Sequence, residues 1–290
     1  MRFGSTVAIL LCACGGSGVV AQGQADSAPD LGGGDMVVIP MNATSGSGGA
    51  LGDYEEHLMS GGASRLIAVH VPPTYTGASG VPLIVHFHGW RPLPAGVTAE
   101  IKFIWASVAD QNGFIAVAPE GLPCPELDPG GPPYGCFEAT TDRPFVEQLI
   151  SDLGAKYNID LDRVYLSGHS GGSFFDQELA IADSDRYAAA VEISGGCISD
   201  SNAYGNSCSV YDTLSQKAAR KIPMFLMHNV DDQVVPNEYS MDLFGLLSDD
   251  GHPVSGILDQ SYDGGDTGHS VDPTLIPQVW SWISNYRLSH

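Results

Sequence analysis

Short runs of β-branched and apolar residues alternate with longer amphipathic runs from about Leu66 onward. This alternation predicts an α/β fold with a mostly parallel central sheet and helices on both faces, because parallel strands need a crossover that a helix usually supplies. The predicted strands are residues 66–71, 83–87, 114–118, 164–167, 188–193, 224–228 and about 255–262. The predicted helices are residues 99–112, 142–157, 171–182, 237–247 and 273–286, where apolar residues recur at helical spacing.

The connection at residues 123–135 is dense in proline and glycine, which indicates a loop at the carboxyl end of a strand. In open α/β sheets, ligands bind at the edge where the strands end. We therefore expect the functional side chains of this chain to lie on the loops that follow its strands.

The chain has 290 residues, of which 12 are Lys or Arg and 34 are Asp or Glu, so its formal net charge is -22. We predict a single domain over residues 51–290, preceded by a flexible linker at residues 15–50 that is rich in small residues. The negative charge argues against nucleic acid and anionic lipid as partners. A neutral or weakly charged substrate, small or polymeric, is easier to accommodate, and we expect a monomer.

The first residues predict an export signal, because Arg2 supplies a positive start and the apolar run at residues 7–11 is too short to span a bilayer. The segment Leu11-Cys12-Ala13-Cys14-Gly15 resembles the lipobox of bacterial lipoproteins, which predicts a signal over residues 1–14 and lipid on Cys14. The alternative is ordinary cleavage after Ala21. The two readings correspond to an outer-membrane lipoprotein and to a secreted or periplasmic protein.

Four further cysteines remain, and they allow three pairings. The local pairs Cys124–Cys136 and Cys197–Cys208 close loops of similar size, each in a Gly-, Pro- or Ser-rich stretch where a disulfide would restrain an irregular loop. Zinc is a weak alternative, because the sequence has no CxxC motif or Cys/His cluster of finger spacing. We therefore expect disulfides and no metal.

The segment at residues 164–172, Val-Tyr-Leu-Ser-Gly-His-Ser-Gly-Gly, sets a GxSxG motif between a strand and a helix. A tight turn there strains the backbone of Ser170, while Gly168 and Gly172 leave room for neighbouring chains. The turn also sets the serine at the positive end of a helix. We predict Ser170 as the nucleophile and the N–H of Gly171 as an oxyanion donor; the alternative is a glycine-rich loop with an incidental serine.

The predicted strand at residues 83–87 ends in His88-Gly89-Trp90. In serine hydrolases with this motif, a backbone N–H just past such a strand supplies a second oxyanion donor, and here we predict the N–H of Trp90. His86 and His88 share one strand face and in principle suit a metal. However, the chain lacks the Asp-His pair of metallo-hydrolases, so a packing or loop-orienting role is favoured for both.

A carboxylate and an imidazole follow later strands in the order that a Ser-acid-His triad requires. The acid is one of Asp231 and Asp232, and the base is His269 in a glycine-rich loop before the last helix. Imidazole titrates near neutral pH, so it can take the serine proton and return it to a leaving group. The competing histidines, His252 and the terminal His290, lack this context.

Three aromatic residues are candidates for holding a substrate acyl group: Trp90, Tyr134 and Phe174. Packing in the core or in loops explains the same residues equally well. The proposed chemistry uses side chains and backbone N–H groups only, so we expect no cofactor.

Taken in order, these segments resemble a group of secreted esterases that contains feruloyl esterases, acetylxylan esterases of carbohydrate esterase family one and polyhydroxybutyrate depolymerases. The likeness extends from about Arg65 to the end of the chain. It rests on residues 82–89, 114–121, 157–160 and 163–165, on the GxSxG motif, and on His228 with Asp232 four residues later and Val235-Pro236 beyond. Departures are Asn229, where the family often has glycine, and His169 and Ser173 around the serine motif.

The resemblance implies an α/β-hydrolase fold, and its His-x-x-x-Asp spacing selects Asp232 over Asp231 as the acid. It further implies an exported serine esterase that hydrolyses carboxylic esters of feruloyl, acetyl-polysaccharide or hydroxyalkanoate type. Two alternatives are open: a serine peptidase on the same fold, and a surface lipoprotein that binds polysaccharide without catalysis.

Overall fold

The computed structural model describes residues 42–124, 131–197, 208 and 211–289. Its strands are β1 (Gly52–Ser60), β2 (Ala63–Val71), β3 (Val81–Phe87), β4 (Arg91–Pro92), β5 (Ile115–Pro119), β6 (Leu122–Cys124), β7 (Tyr134–Cys136), β8 (Ile159–His169), β9 (Ala189–Ile193), β10 (Met224–Met227) and β11 (Val254–Ile257). Its helices are α1 (Val97–Ile101), α2 (Ser107–Asn112), α3 (Ala139–Lys156), α4 (Gly171–Ala182), α5 (Tyr211–Lys217), α6 (Glu238–Asp249) and α7 (Ile276–Ile283). A π-helical turn, Lys102–Ala106, joins α1 to α2.

Eight strands form the central sheet in the order β1-β2-β5-β3-β8-β9-β10-β11. The β1–β2 and β2–β5 pairs are antiparallel, whereas every other neighbouring pair is parallel. The six parallel strands therefore end at one edge of the sheet, and the loops that carry the predicted functional residues follow those ends. The predicted α/β fold with a mostly parallel sheet is confirmed.

Alternate side chains of the buried strands point into two cores, one on each face of the sheet. In β3, Leu83 and Val85 pack with residues of α3, α4 and α6, whereas Ile84 packs on the other face with Trp105 and residues of α7. All of these strand side chains are fully buried, and burial of each such side chain contributes about 1.5–3 kcal/mol. Burial on both faces explains why the parallel strands read as continuous apolar runs in the sequence.

The first strand, β1, was not predicted from the sequence. Alternate residues of β1 are exposed, and its polar composition hides the strand pattern. The hairpin to β2 turns at Gly61 and Gly62, both with positive φ (58° and 84°), as a type I′ turn requires. The Gly-Gly pair was therefore the sequence signal for this hairpin.

Two elements predicted in the last third of the chain are longer than the observed ones. The strand expected at residues 255–262 is β11, which ends at Ile257, and the helix expected at residues 273–286 is α7, which begins at Ile276. Residues 258–275, between them, contain neither a helix nor a strand. His269 therefore lies on an irregular loop, as its glycine-rich sequence predicted.

The predicted loop at residues 123–135 begins and ends in strands, while residues 125–130 lie outside the described part of the chain. β4, β7 and β6 form a second, antiparallel sheet of three strands. Cys124 and Cys136 lie on its β6 and β7 strands, within disulfide distance and with Cα atoms 6.0 Å apart. The second local pair, Cys197 and Cys208, also lies within disulfide distance, with Cα atoms 4.7 Å apart.

Part of the predicted linker contacts the domain. The N–H of Thr44 donates to the carbonyl of Ile159 over 2.9 Å, and the N–H of Gly48 donates to the carbonyl of Lys156 over 3.0 Å. Ala43 also forms an antiparallel bridge with Asp160. Residues 43–48 therefore contact the domain through their backbone, while the flexible linker over residues 15–50 stays a prediction, most of which lies outside the described residues.

Among the described residues, no helix is long and apolar enough to cross a membrane. The same residues contain no group of three or more His, Cys, Asp or Glu side chains arranged to hold a metal ion. The predicted signal at residues 1–14, including Cys14, and the terminal His290 lie outside the described residues.

Candidate active site

Ser170 lies at the turn between β8 and α4 with φ 54° and ψ -120°. A positive φ is strained in a residue other than glycine, and such strain is concentrated at functional sites. The N–H of Ser170 donates to the carbonyl of Ile193 in β9 over 2.8 Å, which helps to hold the turn. Gly171 is the first residue of α4, so its N–H has no acceptor within the helix. The predicted strand and helix on either side of the serine are confirmed.

Both outer glycines of the GxSxG motif are required by close backbone approach. A Cβ atom at Gly168 would lie 2.2 Å from the carbonyl oxygen of Gly172, and one at Gly172 would lie 2.2 Å from the carbonyl oxygen of Phe87. Real Cβ atoms do not approach backbone atoms so closely. The motif thus packs the start of α4 directly onto the ends of β8 and β3.

The side chains of Ser170, His269 and Asp232 form a hydrogen-bonded chain. Nε2 of His269 lies 2.9 Å from Oγ of Ser170, and Nδ1 of His269 lies 2.7 Å from Oδ2 of Asp232. Because a carboxylate only accepts hydrogen bonds, Nδ1 carries the proton and Nε2 is left as an acceptor for the serine hydroxyl. An imidazole in this tautomer can remove the serine proton.

Asp232 has a fully buried side chain that accepts hydrogen bonds from His269 and from two backbone N–H groups, and it also faces His228, whose Nε2 donates to the carbonyl of Val235 over 2.9 Å. The N–H groups of Val234 and Val235 donate to Oδ1 over 2.8 and 2.9 Å, while Oδ2 accepts from His269 and lies 3.2 Å from Nε2 of His228. Burial alone would raise the pKa of Asp232, but the neighbouring imidazoles of His228 and His269 and the hydrogen bonds from the two backbone N–H groups lower it well below its ordinary range. The carboxylate is therefore ionised throughout the range in which proteins function.

The neighbouring carboxylate, Asp231, is exposed and accepts a hydrogen bond from the hydroxyl of Ser261. It makes no contact with His269 among the described hydrogen bonds and ion pairs. Its backbone packs against the loop of the base, because a Cβ atom at Gly268 would lie 2.4 Å from the carbonyl oxygen of Asp231. The geometry therefore agrees with the selection of Asp232 by the sequence spacing.

The loop of the acid and the loop of the base are also joined by backbone hydrogen bonds. The N–H of Gln233 donates to the carbonyl of Thr267 over 2.9 Å. The amide of Asn229, which departs from the common glycine, donates to the carbonyl of Tyr262 over 2.9 Å. Asn229 therefore supplies an additional link between the two loops.

The segment that follows β3 lies against the nucleophile. A Cβ atom at Gly89 would lie 2.9 Å from the Cβ of Ser170, and one at Gly171 would lie 2.6 Å from Cδ1 of Trp90. His88 is buried; its Nδ1 donates to the carbonyl of Gly89 over 2.6 Å and its Nε2 accepts from the N–H of Gly121 over 2.8 Å. Burial lowers the pKa of His88 to about 4, so the ring is neutral and orients this loop.

His86, a fully buried residue of β3, contacts other side chains. Its Nδ1 lies 3.0 Å from Oγ of Ser167, and its Nε2 lies 3.5 Å from Oε1 of Glu100, which also pairs with Arg91. Burial acts to raise the pKa of Glu100, but His86 and Arg91 outweigh it and lower that pKa to about 2. The contacts give His86 the packing role that the sequence favoured over metal binding.

The three aromatic candidates differ in their exposure. The half-buried Trp90 lies beside the first residue of α4, and Tyr134 lies in β7 opposite Pro92, two residues beyond Trp90. Phe174, in the first turn of α4, is only 7% exposed, which leaves little of its ring for a substrate. A substrate-binding role stays a prediction for all three.

A second group of polar side chains is buried behind the nucleophile turn. The hydroxyl of Ser173 donates to Oε2 of Glu192 over 2.5 Å, and Asp176 lies one helical turn further along α4. Burial raises the pKa of Glu192 to about 8. Burial and then the charge of Glu192 also raise the pKa of Asp176 well above its ordinary value. Both carboxyl groups therefore favour the protonated form.

Sequence reasoning did not assign roles to His228, Glu192 or Asp176. For His228 the signal was its position four residues before Asp232, which served only to choose between two carboxylates. For Glu192 the signal was a carboxyl group inside the otherwise apolar strand β9. Asp176 had no such signal, because polar residues are ordinary in an amphipathic helix.

The sheet order and the strained serine between β8 and α4, with a histidine and an aspartate on later loops, define the α/β-hydrolase fold. The fold implied by the sequence resemblance is confirmed. A solved structure of a ferulic acid esterase matches with a TM-score of 0.59 and 15% identity over 80% of this chain and 97% of that chain. At this identity the likeness shows the fold alone.

Two curated proteins are similar in sequence. The chain is 31% identical over 174 residues to the bifunctional acetylxylan esterase/xylanase of Neocallimastix patriciarum, a match that covers 60% of this chain and 22% of the relative. It is 28% identical over 134 residues to poly(3-hydroxyalkanoate) depolymerase C of Paucimonas lemoignei, which covers 44% of this chain and 30% of the relative. No protein-family model matches the chain. The resemblance to this group of esterases is confirmed, while the chain spans less than a third of the length of either relative.

Proposed function

We propose that this protein is an exported serine esterase that hydrolyses carboxylic esters through an acyl-enzyme on Ser170. One observation carries the proposal: the hydrogen-bonded chain from Oγ of Ser170 through His269 to Asp232. The order and spacing of the three side chains support acyl transfer, and the serine lies at the positive end of α4.

In the first half of the proposed reaction, Oγ of Ser170 attacks the ester carbonyl carbon while Nε2 of His269 takes the serine proton. The carbonyl oxygen becomes an oxyanion, and the N–H groups of Gly171 and Trp90 donate to it. Collapse of this intermediate breaks the bond to the alcohol, which leaves with the proton held by His269. The acyl group stays on the serine as an ester.

In the second half, a water molecule gives a proton to Nε2 of His269 and attacks the acyl carbon. Collapse of the second oxyanion releases the acid and returns the proton to Ser170. Asp232 keeps the imidazole in the required tautomer and stabilises its positive charge in both halves. Its lowered pKa supports this role, because the carboxylate has to remain ionised while it faces the imidazolium.

The proposed substrates are neutral carboxylic esters of acetyl-polysaccharide, feruloyl or hydroxyalkanoate type. The names of the relatives, an acetylxylan esterase/xylanase and a poly(3-hydroxyalkanoate) depolymerase, support this range. The formal net charge of -22 supports neutral over anionic substrates. Trp90 beside Gly171 is the aromatic side chain best situated to contact the acyl group.

The proposed location is outside the cytoplasm. Two cysteine pairs within disulfide distance support it, because disulfides persist in oxidising compartments. We further propose that Cys14 is the lipid-bearing residue, with cleavage after Ala21 as the alternative. Mass spectrometry of the mature protein from its native host distinguishes a chain that begins at a diacylated Cys14 from one that begins at an unmodified Gln22.

The substrate class is tested by a panel of methyl ferulate, acetylated xylan, hydroxybutyrate oligomers and an aminoacyl anilide, each assayed with wild type and Ser170→Ala. We expect release of acid from at least one ester and from no anilide, and loss of at least about 10⁴-fold of that activity in Ser170→Ala. The matched control is Ser270→Ala, an exposed serine beside His269, which we expect to retain full activity. Hydrolysis of the anilide alone would favour the peptidase, and no hydrolysis with intact fold would favour the binding protein.

A further inference from the structure

His169 fills the position just before the nucleophile, and the proposed reaction gives it no task. It is the last residue of β8, a central strand of the sheet, and its side chain is partly buried. The hydrogen bonds of a central strand hold the backbone of such a residue in place, whereas the backbone of a loop residue is held less firmly.

The ring of His169 donates a hydrogen bond to the main chain of the base. Nε2 of His169 lies 2.8 Å from the carbonyl oxygen of His269, and the two rings lie 5.1 Å apart between centroids. A carbonyl oxygen only accepts, so Nε2 of His169 carries a proton. The hydrogen bond thus joins the residue before the nucleophile directly to the backbone of the residue that removes its proton.

The other side of the same ring faces the oxyanion segment. A Cβ atom at Gly89 would lie 3.4 Å from Nδ1 of His169, as well as 2.9 Å from the Cβ of Ser170. The imidazole of His169 therefore lies between the loop of His269 and the loop that follows β3. One rigidly attached side chain contacts both loops that flank the nucleophile.

The loop of the base needs such a contact. Residues 258–275 contain neither a helix nor a strand, yet Nε2 of His269 has to stay within hydrogen-bonding distance of Oγ of Ser170. A displacement of about 1 Å in such a site can lower the rate by about 100-fold. Asp232 holds the ring of His269, whereas the contact from His169 holds its backbone.

The electrostatic state of His169 suits this position. Burial lowers the pKa of His169 to about 4; the facing Glu100 and the hydrogen bond to the backbone of His269 act to raise it, whereas positive charge on His269 or His86 acts to lower it further. The ring is therefore neutral at neutral pH. A neutral donor does not oppose the positive charge that develops on His269 during proton transfer.

We propose that His169 is a positioning residue, whose Nε2–H fixes the backbone of His269 at the distance from Ser170 that proton transfer requires. This inference rests on the proposed function, because it assigns a role within the same site. It predicts that the hydrogen-bond donor matters and that the bulk of the ring is secondary.

The test compares His169→Gln, whose amide can donate from a similar distance, with His169→Leu and His169→Met, which fill similar space without a donor. We expect the Leu and Met variants to lose about 10-fold to 100-fold in kcat, with KM changed less than about 3-fold, and the Gln variant to recover most of the loss. The rate of labelling of Ser170 by a fluorophosphonate should fall in parallel. That second measurement is independent of which ester is the substrate, so failure of the substrate assignment leaves it intact.

Equal losses in the Gln, Leu and Met variants would overturn the proposal, as would wild-type kcat and labelling in a folded Leu or Met variant. If the apolar variants do not fold, the test is made on the wild-type protein. The nitrogen chemical shifts of His169, measured by NMR, should then show the Nε2–H tautomer. The Nδ1–H tautomer would contradict the proposal. A wild-type protein that is neither labelled at Ser170 nor active on any ester would instead contradict the proposed function.

Discussion

Two buried carboxyl side chains lie near Ser170. Their pKa values are shifted from the ordinary values in opposite directions. Asp232, on the loop after β10, accepts hydrogen bonds from His269 and two backbone N–H groups and faces a second imidazole, that of His228, and its pKa is lowered. Glu192, in β9 behind the nucleophile, accepts a hydrogen bond from the hydroxyl of Ser173 and lies near the carboxyl group of Asp176. Burial raises the pKa of Glu192 to about 8. Burial acts to raise both pKa values, and only at Asp232 do the surrounding donors outweigh it.

The difference assigns separate roles to the two sides of the nucleophile turn. On the side of Asp232, a fixed negative charge stabilises a positive charge that forms during the reaction. On the side of Glu192, a protonated carboxyl group packs α4 against β9 through Ser173. Substitutions on the first side should therefore alter the rate, and substitutions on the second side should alter stability.

The largest expected effect is that of Asp232→Asn. The variant keeps the shape of the side chain but removes the charge and can favour the wrong tautomer of His269, so kcat should fall by about 10³-fold to 10⁴-fold. Steady-state kinetics on the best ester of the panel measures the loss. The matched control is Asp231→Asn on the exposed neighbour, which we expect to stay within about 2-fold of wild type; similar losses in both variants would contradict the assignment.

His228→Leu should have the next largest effect. Nε2 of His228 donates to the carbonyl of Val235 over 2.9 Å and lies 3.2 Å from Oδ2 of Asp232, so this side chain packs against the carboxylate and holds the turn that follows it. Its loss should lower kcat by about 10-fold to 100-fold, because the carboxylate is held less firmly. The control is His57→Leu on β1, where the histidine is exposed. Unchanged kcat in a folded His228→Leu variant would show that Asp232 needs only its hydrogen-bond donors.

The sequence predicts which residues form the candidate site, but it does not predict the pKa values of the two carboxyl groups. Strand context and chain order predict Ser170, His269 and an acid that is Asp231 or Asp232, because apolar parallel strands are easily recognised and their ends meet at one edge. The spacing in the family resemblance then selects Asp232. The acidities of Asp232 and Glu192 depend on donors that approach from distant segments, such as Ser173 and His269. No local pattern encodes those approaches, and the contact of His169 with the backbone of His269 was hidden for the same reason.

Glu192→Gln should change stability more than activity. The pKa of Glu192 rises from 4.5 to about 8 on folding, so the folded protein retains a proton that the unfolded chain releases between these values. Stability therefore decreases as the pH rises through this window, and glutamine, which does not ionise, abolishes the decrease. Relative to wild type, the variant should therefore be more stable at pH 8 than at pH 5, with a free energy of unfolding larger by about 1–3 kcal/mol.

Urea unfolding at the two pH values, with kcat measured in parallel, tests this expectation. We expect kcat of Glu192→Gln within about 3-fold of wild type. A stability difference that is the same at both pH values would contradict a raised pKa, and a loss of kcat comparable to that of Asp232→Asn would erase the distinction between the two carboxyl groups.

The smallest expected effect is that of Ser173→Ala. The substitution removes the one hydroxyl donor to Glu192, which costs about 1 kcal/mol of stability and raises the pKa of the carboxyl group further. We expect kcat within about 3-fold of wild type. Thermal unfolding with a parallel activity assay measures both, and a large kcat loss without loss of stability would place Ser173 in the reaction instead.

The most direct test of the whole account is the site of covalent modification by a fluorophosphonate, located by peptide mass spectrometry. We expect stoichiometric modification of Ser170 in the wild-type protein, much slower modification in His269→Ala, and no modification in Ser170→Ala. Modification of another serine, or no modification of a folded wild-type protein, would contradict the assignment of Ser170 as the nucleophile.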